Sequence, residues 1–143
     1  MIKKRINLLR SKFNDYGIDG YVVPKNDEYF SEYSNKDRLR NISNFTGSAG
    51  FAIILKNKNY LFVDGRYTIQ AYLESGNQFK IVSYEKIINC KLFKNLTLGI
   101  DPKIFTSGQI KKFFSKYNKV KKIEFNLVDF VFSKYNTQIK YFY

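Results

Sequence analysis

The sequence predicts an α/β domain built around a mixed β-sheet. Three features point there. An amphipathic helix pattern at the N-terminus runs directly into an apolar strand pattern, as a layered α/β fold requires. Two β-rich runs, Phe51–Leu55 and Tyr60–Val63, are separated only by Lys-Asn-Lys-Asn, which predicts an antiparallel hairpin. Strand and helix patterns alternate through the rest of the chain, so parallel strands are expected beside that hairpin.

Taken in order, Ile2–Tyr16 reads as one amphipathic helix. Ile2, Ile6, Leu9, Phe13 and Tyr16 recur at three- and four-residue spacing with Lys and Arg between them. Gly17 is placed to close it in a left-handed cap. Ile18–Pro24 reads as a buried strand ended by the proline. Lys25–Asn35 is polar and irregular, and Asp37–Ser43 reads as a short helix capped by Asn35 or Asp37. Asn44 suits a left-handed helix end. After the hairpin, Asp64 can cap a helix over Gly65–Leu73, in which Tyr67 and Ala71, and Ile69 and Leu73, lie four apart. Ser75–Asn77 ends it, and Phe79–Ser83 is a short strand. Lys86–Leu96 carries an ambiguous pattern, nearest to a helix. Leu96–Pro102 is a strand closed by Asp-Pro. Thr106 or Ser107 can start a helix to Tyr117, Val120–Phe125 reads as a last strand, and Asn126–Tyr135 is short and apolar-rich. Residues 1–143 form one domain, with no internal repeat and no low-complexity linker.

Composition narrows the chemistry. The 14 Phe and 12 Tyr among 143 residues are a folding composition. There is no histidine, which removes the usual general base at neutral pH and the commonest nitrogen metal ligand. Ser-His-Asp and Cys-His mechanisms are therefore closed. The lone Cys90 excludes an internal disulfide and a cysteine-built zinc site, and fits a reducing compartment. No apolar run reaches the roughly 18 to 20 residues of a membrane span. Lys3, Lys4 and Arg5 are followed by Arg10 and Lys12 rather than by a signal-peptide core. A cytoplasmic protein without a membrane partner is expected. The net charge of +13 would suit a basic nucleic-acid-binding module, with bases stacked on aromatics and lysines on phosphates. The lysines come as scattered pairs, which favours a generally cationic surface. The nucleic-acid module stays as the alternative.

Phe45–Ile54, "FTGSAGFAII", holds the one glycine-rich loop that could bind a ligand. A dinucleotide fingerprint needs a third glycine and a helix after the loop, and a Walker loop needs its lysine; neither is present. A KH-type clamp needs helices on both sides and basic residues within. The default is that Gly47 and Gly50 let the chain turn sharply into a buried strand. At Asp64–Arg66, capping by Asp64 and an ion pair for Arg66, with Glu28 or Glu32 as partner, is favoured over a metal or base role. Asp27, Glu28 and Glu32 have no histidine or third ligand beside them and read as a solvated or ion-paired loop.

Five stretches, in this order, carry a resemblance: "DEYFSEY" (Asp27–Tyr33), "DRLRNISNFTGSAGFAII" (Asp37–Ile54), "LFVDGRYTIQA" (Leu61–Ala71), "LGIDP" (Leu98–Pro102) and "NLVD" (Asn126–Asp129). Together they resemble the N-terminal domain of Xaa-Pro aminopeptidases (aminopeptidase P) of the creatinase/prolidase superfamily, in its longer, three-domain branch. The resemblance implies a ribonuclease-H-like α/β fold, a mixed central sheet with helices on both faces. It implies that this domain precedes a pita-bread catalytic domain that holds two divalent metals, typically manganese, through carboxylates and a histidine. The whole enzyme would remove an N-terminal residue lying before proline, and this domain would support dimerisation and the active-site rim. Gly47, Ser48 and Gly50, with Asp64, Gly65, Arg66 and Tyr67, match the family's structural signatures. Arg38 and Tyr29 fall at positions implied to lie at the substrate rim or an interdomain contact.

The resemblance leaves the chain without catalytic residues, metal ligands or a cofactor of its own. Its partners would be the remaining domains of the same enzyme and a second copy in a homodimer. The pattern stops shortly after "NLVD", so a fragment, an expressed domain or a split-gene product, inactive alone, is expected. Departures from the family pattern are Tyr29 for histidine, Asn41 for tryptophan and Asn44 for glycine.

Overall fold

In the computed structural model the described residues are 2–24, 38–47, 50–83, 94–102, 118–123 and 126–129. Helix α1 (Ile2–Arg10) buries Ile6 and Leu9, and a second short helix, α2 (Phe13–Tyr16), buries Phe13. The single helix expected over Ile2–Tyr16 is thus broken at Ser11 and Lys12. There Lys12 N–H bonds to the Leu9 carbonyl (3.1 Å), a three-residue step that tightens the turn, and the Ser11 hydroxyl bonds to the Leu8 carbonyl (2.5 Å). Phe13 lies in the core beyond the break, 1% exposed. Gly17 closes α2 at φ 65°, as its position after Tyr16 predicts.

Six strands follow: β1 (Gly20–Pro24), β2 (Gly50–Leu55), β3 (Asn59–Val63), β4 (Lys80–Ser83), β5 (Thr97–Ile100) and β6 (Lys119–Lys122), in the sheet order β4-β3-β2-β1-β5-β6. β1, β2 and β3 form an antiparallel meander, with Val22 opposite Ile53 and Phe51 opposite Phe62. β5 runs parallel to β1, β6 to β5, and β4 to β3. This is a mixed sheet of the ribonuclease-H-like kind, extended by β4 at one edge. Helix α3 (Arg38–Ser43) ends in Asn44 at φ 66°, the left-handed geometry that an asparagine tolerates. A 3-10 turn (Gly65–Tyr67) leads into helix α4 (Thr68–Ser75).

Side chains alternate across the sheet, and both faces are closed to solvent. One face sends Tyr21, Val23, Ala52, Ile54, Leu61 and Val63 against Ile6, Leu9 and Phe13 of the first two helices, Leu39 and Ile42 of α3, Phe45, and Ala71 of α4. The other face groups Val22, Phe51, Ile53, Phe62, Leu98 and Ile100. Double-sided burial is why these strands read as continuous apolar runs. Helices α1 to α4 all pack on the first face. The helix expected over Thr106–Tyr117, and the ambiguous stretch Lys86–Leu96 apart from its last residues, lie outside the described residues.

Arg10 ties α1 to the hairpin. Its Nε donates to the Leu55 carbonyl (2.7 Å) and a terminal nitrogen donates to Asn59 Oδ1 (2.6 Å). Burial lowers the Arg10 pKa from its ordinary value. Two of the stretches behind the resemblance also meet. Asn126 Nδ2 donates to the buried Asp101 Oδ2 (2.9 Å), its Oδ1 accepts from Val128 N–H (3.0 Å), and Leu127 N–H reaches the Tyr21 hydroxyl (3.3 Å).

Candidate functional site

The glycine-rich loop is built around Phe45. Its ring is fully buried and meets the Tyr67 ring edge-on, with centroids 6.2 Å apart and planes at 79°. The chain then doubles back over that ring, so a Cβ at Gly47 would clash with the Phe45 Cζ. Gly50 starts β2 at φ 154°, and a Cβ there would lie 2.8 Å from the Phe62 carbonyl oxygen. Close approach and backbone geometry both call for glycine here. The loop leads into a strand, so no helix N-terminus is offered to an anion.

Polar groups fasten the same loop to α4. The Thr46 N–H and hydroxyl donate to the two carboxylate oxygens of Glu74, at 3.0 and 2.7 Å. Gln70 Nε2 donates to Thr46 Oγ1 (2.9 Å) and to Glu74 Oε1 (3.3 Å). The Ser75 hydroxyl donates to the Ser43 carbonyl (2.6 Å), and the Ser43 hydroxyl accepts from Phe45 N–H (3.1 Å). Burial pushes the Glu74 carboxyl up. The Thr46 and Gln70 bonds and the charge of Arg40 outweigh it and hold the group below its ordinary 4.5. None of Gln70, Glu74 or Ser75 was legible as a partner of the loop. The one available signal was weak: polar residues on a helix that follows a strand hydrogen-bonded next to the loop.

Asp64 caps the turn after β3, accepting from Arg66 N–H at 3.0 Å. That bond, against slight desolvation and helped by the Arg66 charge, holds the Asp64 carboxyl below its ordinary range. Arg66 Nε lies 3.4 Å from Asp64 Oδ1, and its guanidinium carbon sits 5.4 Å from the Tyr67 ring centroid. The ion pair of Arg66 is therefore local, while Glu28 and Glu32 lie outside the described residues. At Gly65 an added Cβ would meet nothing within 4 Å. Tyr67 thus links the turn after β3 to the glycine-rich loop, since it follows Arg66 and packs on Phe45. Arg38 is the first residue of α3. Tyr29 and Ser48 lie outside the described residues.

Among the described residues, no three His, Cys, Asp or Glu side chains come together as a metal ion would need. No described helix is long and apolar enough to cross a membrane. The basic surface includes an open hollow of about 470 Å³ on α1, lined by Lys3, Lys4, Asn7 and Leu8.

The meander widened by parallel strands, with its glycine loop clasped to the helix after β3, defines an α/β domain of ribonuclease-H-like architecture. The chain belongs to the creatinase/prolidase N-terminal domain family, whose profile matches residues 5–130. It is 32% identical over 145 residues to a probable Xaa-Pro aminopeptidase P of Laccaria bicolor, an alignment covering 92% of this chain and 23% of the relative. It is 37% identical over 117 residues to Xaa-Pro aminopeptidase 1 of Dictyostelium discoideum, covering 75% of this chain and 19% of the relative. The chain thus spans about a quarter or less of the length of these curated relatives. In fold it is similar to the Caenorhabditis elegans X-prolyl aminopeptidase, described as a cytosolic enzyme with a di-nuclear active site. That match has a TM-score of 0.77 at 23% identity, over 93% of this chain and 26% of the other. It is also similar to the N-terminal domain of the cytoplasmic peptidase PepQ of Mycobacterium tuberculosis, with a TM-score of 0.66 at 17% identity over 89% and 97% of the two chains.

Proposed function

We propose that residues 1–143 act as the non-catalytic N-terminal domain of an Xaa-Pro aminopeptidase-like metallopeptidase. In this reading the domain supports dimerisation and the rim of an active site that other domains of the enzyme carry, with Arg38 and Tyr29 toward that rim. The complete enzyme removes an N-terminal residue preceding proline, using two divalent metals, manganese by expectation, bound outside this chain. The cytosolic description of the C. elegans protein supports a cytoplasmic setting. The observation that carries the proposal is the identity of 32 to 37% to Xaa-Pro aminopeptidases across most of this chain. The absence of histidine from all 143 residues agrees with a supporting role, because a hydrolytic metal centre with a histidine ligand cannot be assembled from this chain alone.

Two measurements test it. The purified chain with manganese and an Xaa-Pro-Yaa peptide should show no turnover; hydrolysis that scales with protein through repeated purification would overturn the non-catalytic assignment. The chain should also replace the matching segment of the Dictyostelium enzyme. A chimera that hydrolyses Xaa-Pro-Yaa peptides, where the enzyme lacking that segment does not, is the expected result. A chimera no better than the truncated enzyme would count against the supporting role.

A further inference from the structure

The topology gathers lysines that lie far apart in the sequence. The register places the starts of β1, β3, β4, β5 and β6, with the end of β2, at one end of the sheet. Gly20 pairs with Leu55 and Leu98, Ile54 with Asn59, Tyr60 with Lys80, and Thr97 with Lys119. Five exposed lysines stand along that end. Lys80 opens β4, Lys56 and Lys58 sit in the β2–β3 turn, Lys94 precedes β5 and Lys119 opens β6. The segment after Lys94 is tied to this edge, because Leu96 N–H donates to Asn118 Oδ1 (3.2 Å) and Lys119 N–H donates to the Leu96 carbonyl (2.9 Å). Six strands at about 4.8 Å spacing make the row about 24 Å long. Asn57, Asn77 and Asn95, also exposed, stand beside the lysines. The carboxylates just before β1 already face cations. Asp15 lies 3.7 Å from Lys12 and Asp19 lies 3.6 Å from Lys56, and Asp19 also accepts from Thr97 N–H (2.9 Å). The opposite end of the strands carries Asp64 after β3 and Asp101 after β5.

The geometry points to this lysine row as a binding surface for the phosphate backbone of a nucleic acid, a function added to the proposed peptidase role and independent of it. Like charges this close reinforce one another's potential and attract a polyanion. Lysine is a point charge without the planar fork of arginine, so the contact is to phosphates and is indifferent to base sequence. At about 3.4 Å of helix axis per phosphate of one strand, the row faces about seven phosphates. The asparagine amides can donate to the same oxygens. The makeup of the edge favours this partner over other polyanions. An acidic protein is gripped through an apolar or aromatic centre, and an anionic membrane through inserted apolar side chains. The exposed large apolar residues among those described, Ile69, Tyr72 and Leu73, lie on α4 and not in this row.

Fluorescence anisotropy of the purified chain with labelled DNA and RNA duplexes of about 20 base pairs tests this. Binding at low salt is expected, with a dissociation constant of about micromolar, weakening steeply as salt rises. Binding of either duplex supports the inference, and the tighter of the two names the nucleic acid. Lys58→Gln, Lys94→Gln and Lys119→Gln together should weaken binding by about tenfold or more at low salt. They should also reduce the slope of log K against log salt by about three. Lys3→Gln, Lys4→Gln and Arg66→Gln remove the same charge from exposed positions elsewhere, and should weaken binding by less than about threefold. All six side chains are exposed, and far-UV circular dichroism checks that both triple variants fold. Equal losses from the two sets would overturn the row and leave a diffuse cationic surface. No binding of either duplex at low salt would overturn the inference outright. Tighter binding to polyglutamate or to phosphatidylserine vesicles, lost in the same row variant, would assign the row to an acidic protein or a membrane and overturn the nucleic-acid partner. None of these results bears on the peptidase role, which the Dictyostelium chimera tests separately.

Discussion

Two stretches singled out in the sequence, Thr46–Gly50 and Asp64–Tyr67, contain glycines that do different work. Gly47 and Gly50 are demanded from inside. One backs onto the Phe45 ring, and the other opens β2 at φ 154° against the Phe62 carbonyl. Gly65 is demanded by nothing in the domain: its surroundings are open, and its φ lies outside the left-handed region. The residues beside it follow the same division. Phe45 is fully buried, whereas Arg66 is exposed and pairs with its own capping aspartate. Gly47 and Gly50 are set by the interior, whereas Gly65 and Arg66 face outward. Conformity to a family pattern therefore says nothing about whether a residue serves the interior or the outside; the space around each Cβ decides that.

Four substitutions break or sharpen this contrast. The largest effect is expected for Phe45→Ala, which empties the centre of the loop and removes the edge-on contact with Tyr67. A loss of about 3–5 kcal/mol in urea-unfolding free energy is expected. Gly50→Ala comes next, because the new methyl meets the Phe62 oxygen in a backbone geometry hostile to L-residues. About 1–3 kcal/mol should be lost, read as a lower urea midpoint at unchanged slope. A neutral Gly50→Ala would show that the loop relaxes freely and would remove the distinction.

Glu74→Gln should cost about 1 kcal/mol at neutral pH, since it weakens charge-assisted bonds from Thr46. The pH dependence has a definite sign. The folded-state pKa of Glu74 is depressed below its ordinary 4.5, so its contribution is full above that value and is lost as pH falls through the folded pKa. The gap between wild type and Glu74→Gln should therefore close on acidification. A gap that stays constant throughout acidification would mean that the carboxylate charge is irrelevant to the clasp.

The smallest effect has the opposite sign. Gly65→Ala should stabilise the isolated domain by about 0.4–1 kcal/mol, by restricting the unfolded chain at a position where a methyl meets nothing. A destabilisation comparable to that of Gly50→Ala would place Gly65 with the interior glycines after all.

Local signals in the sequence marked local structure well. The run of apolar residues on either side of Lys56–Asn59 fixed the hairpin, because neighbouring antiparallel strands need only a short turn between them. Gly17 and Asn44 announced left-handed helix ends, and Asp64 announced a cap, because each acts on backbone groups within two or three residues. The break at Ser11–Lys12 was hidden, since Phe13 and Tyr16 keep the helical spacing across it.

By itself, then, the sequence determined the mixed sheet, its central hairpin, the chemistry closed off by the lack of histidine, and the family through its ordered motifs. Tertiary structure alone decided which motif residues meet. Thr46 finds Glu74 28 positions away, and Asp101 finds Asn126 25 positions away, pairings with no local periodicity to betray them. It also decided which side of α4 faces water. The 3-10 turn and the helix after it carry apolar residues on two sides, Tyr67 and Ala71 on one and Ile69 and Leu73 on the other. Packing against the sheet and the loop around Phe45 takes the first pair into the domain and leaves the second pair outside.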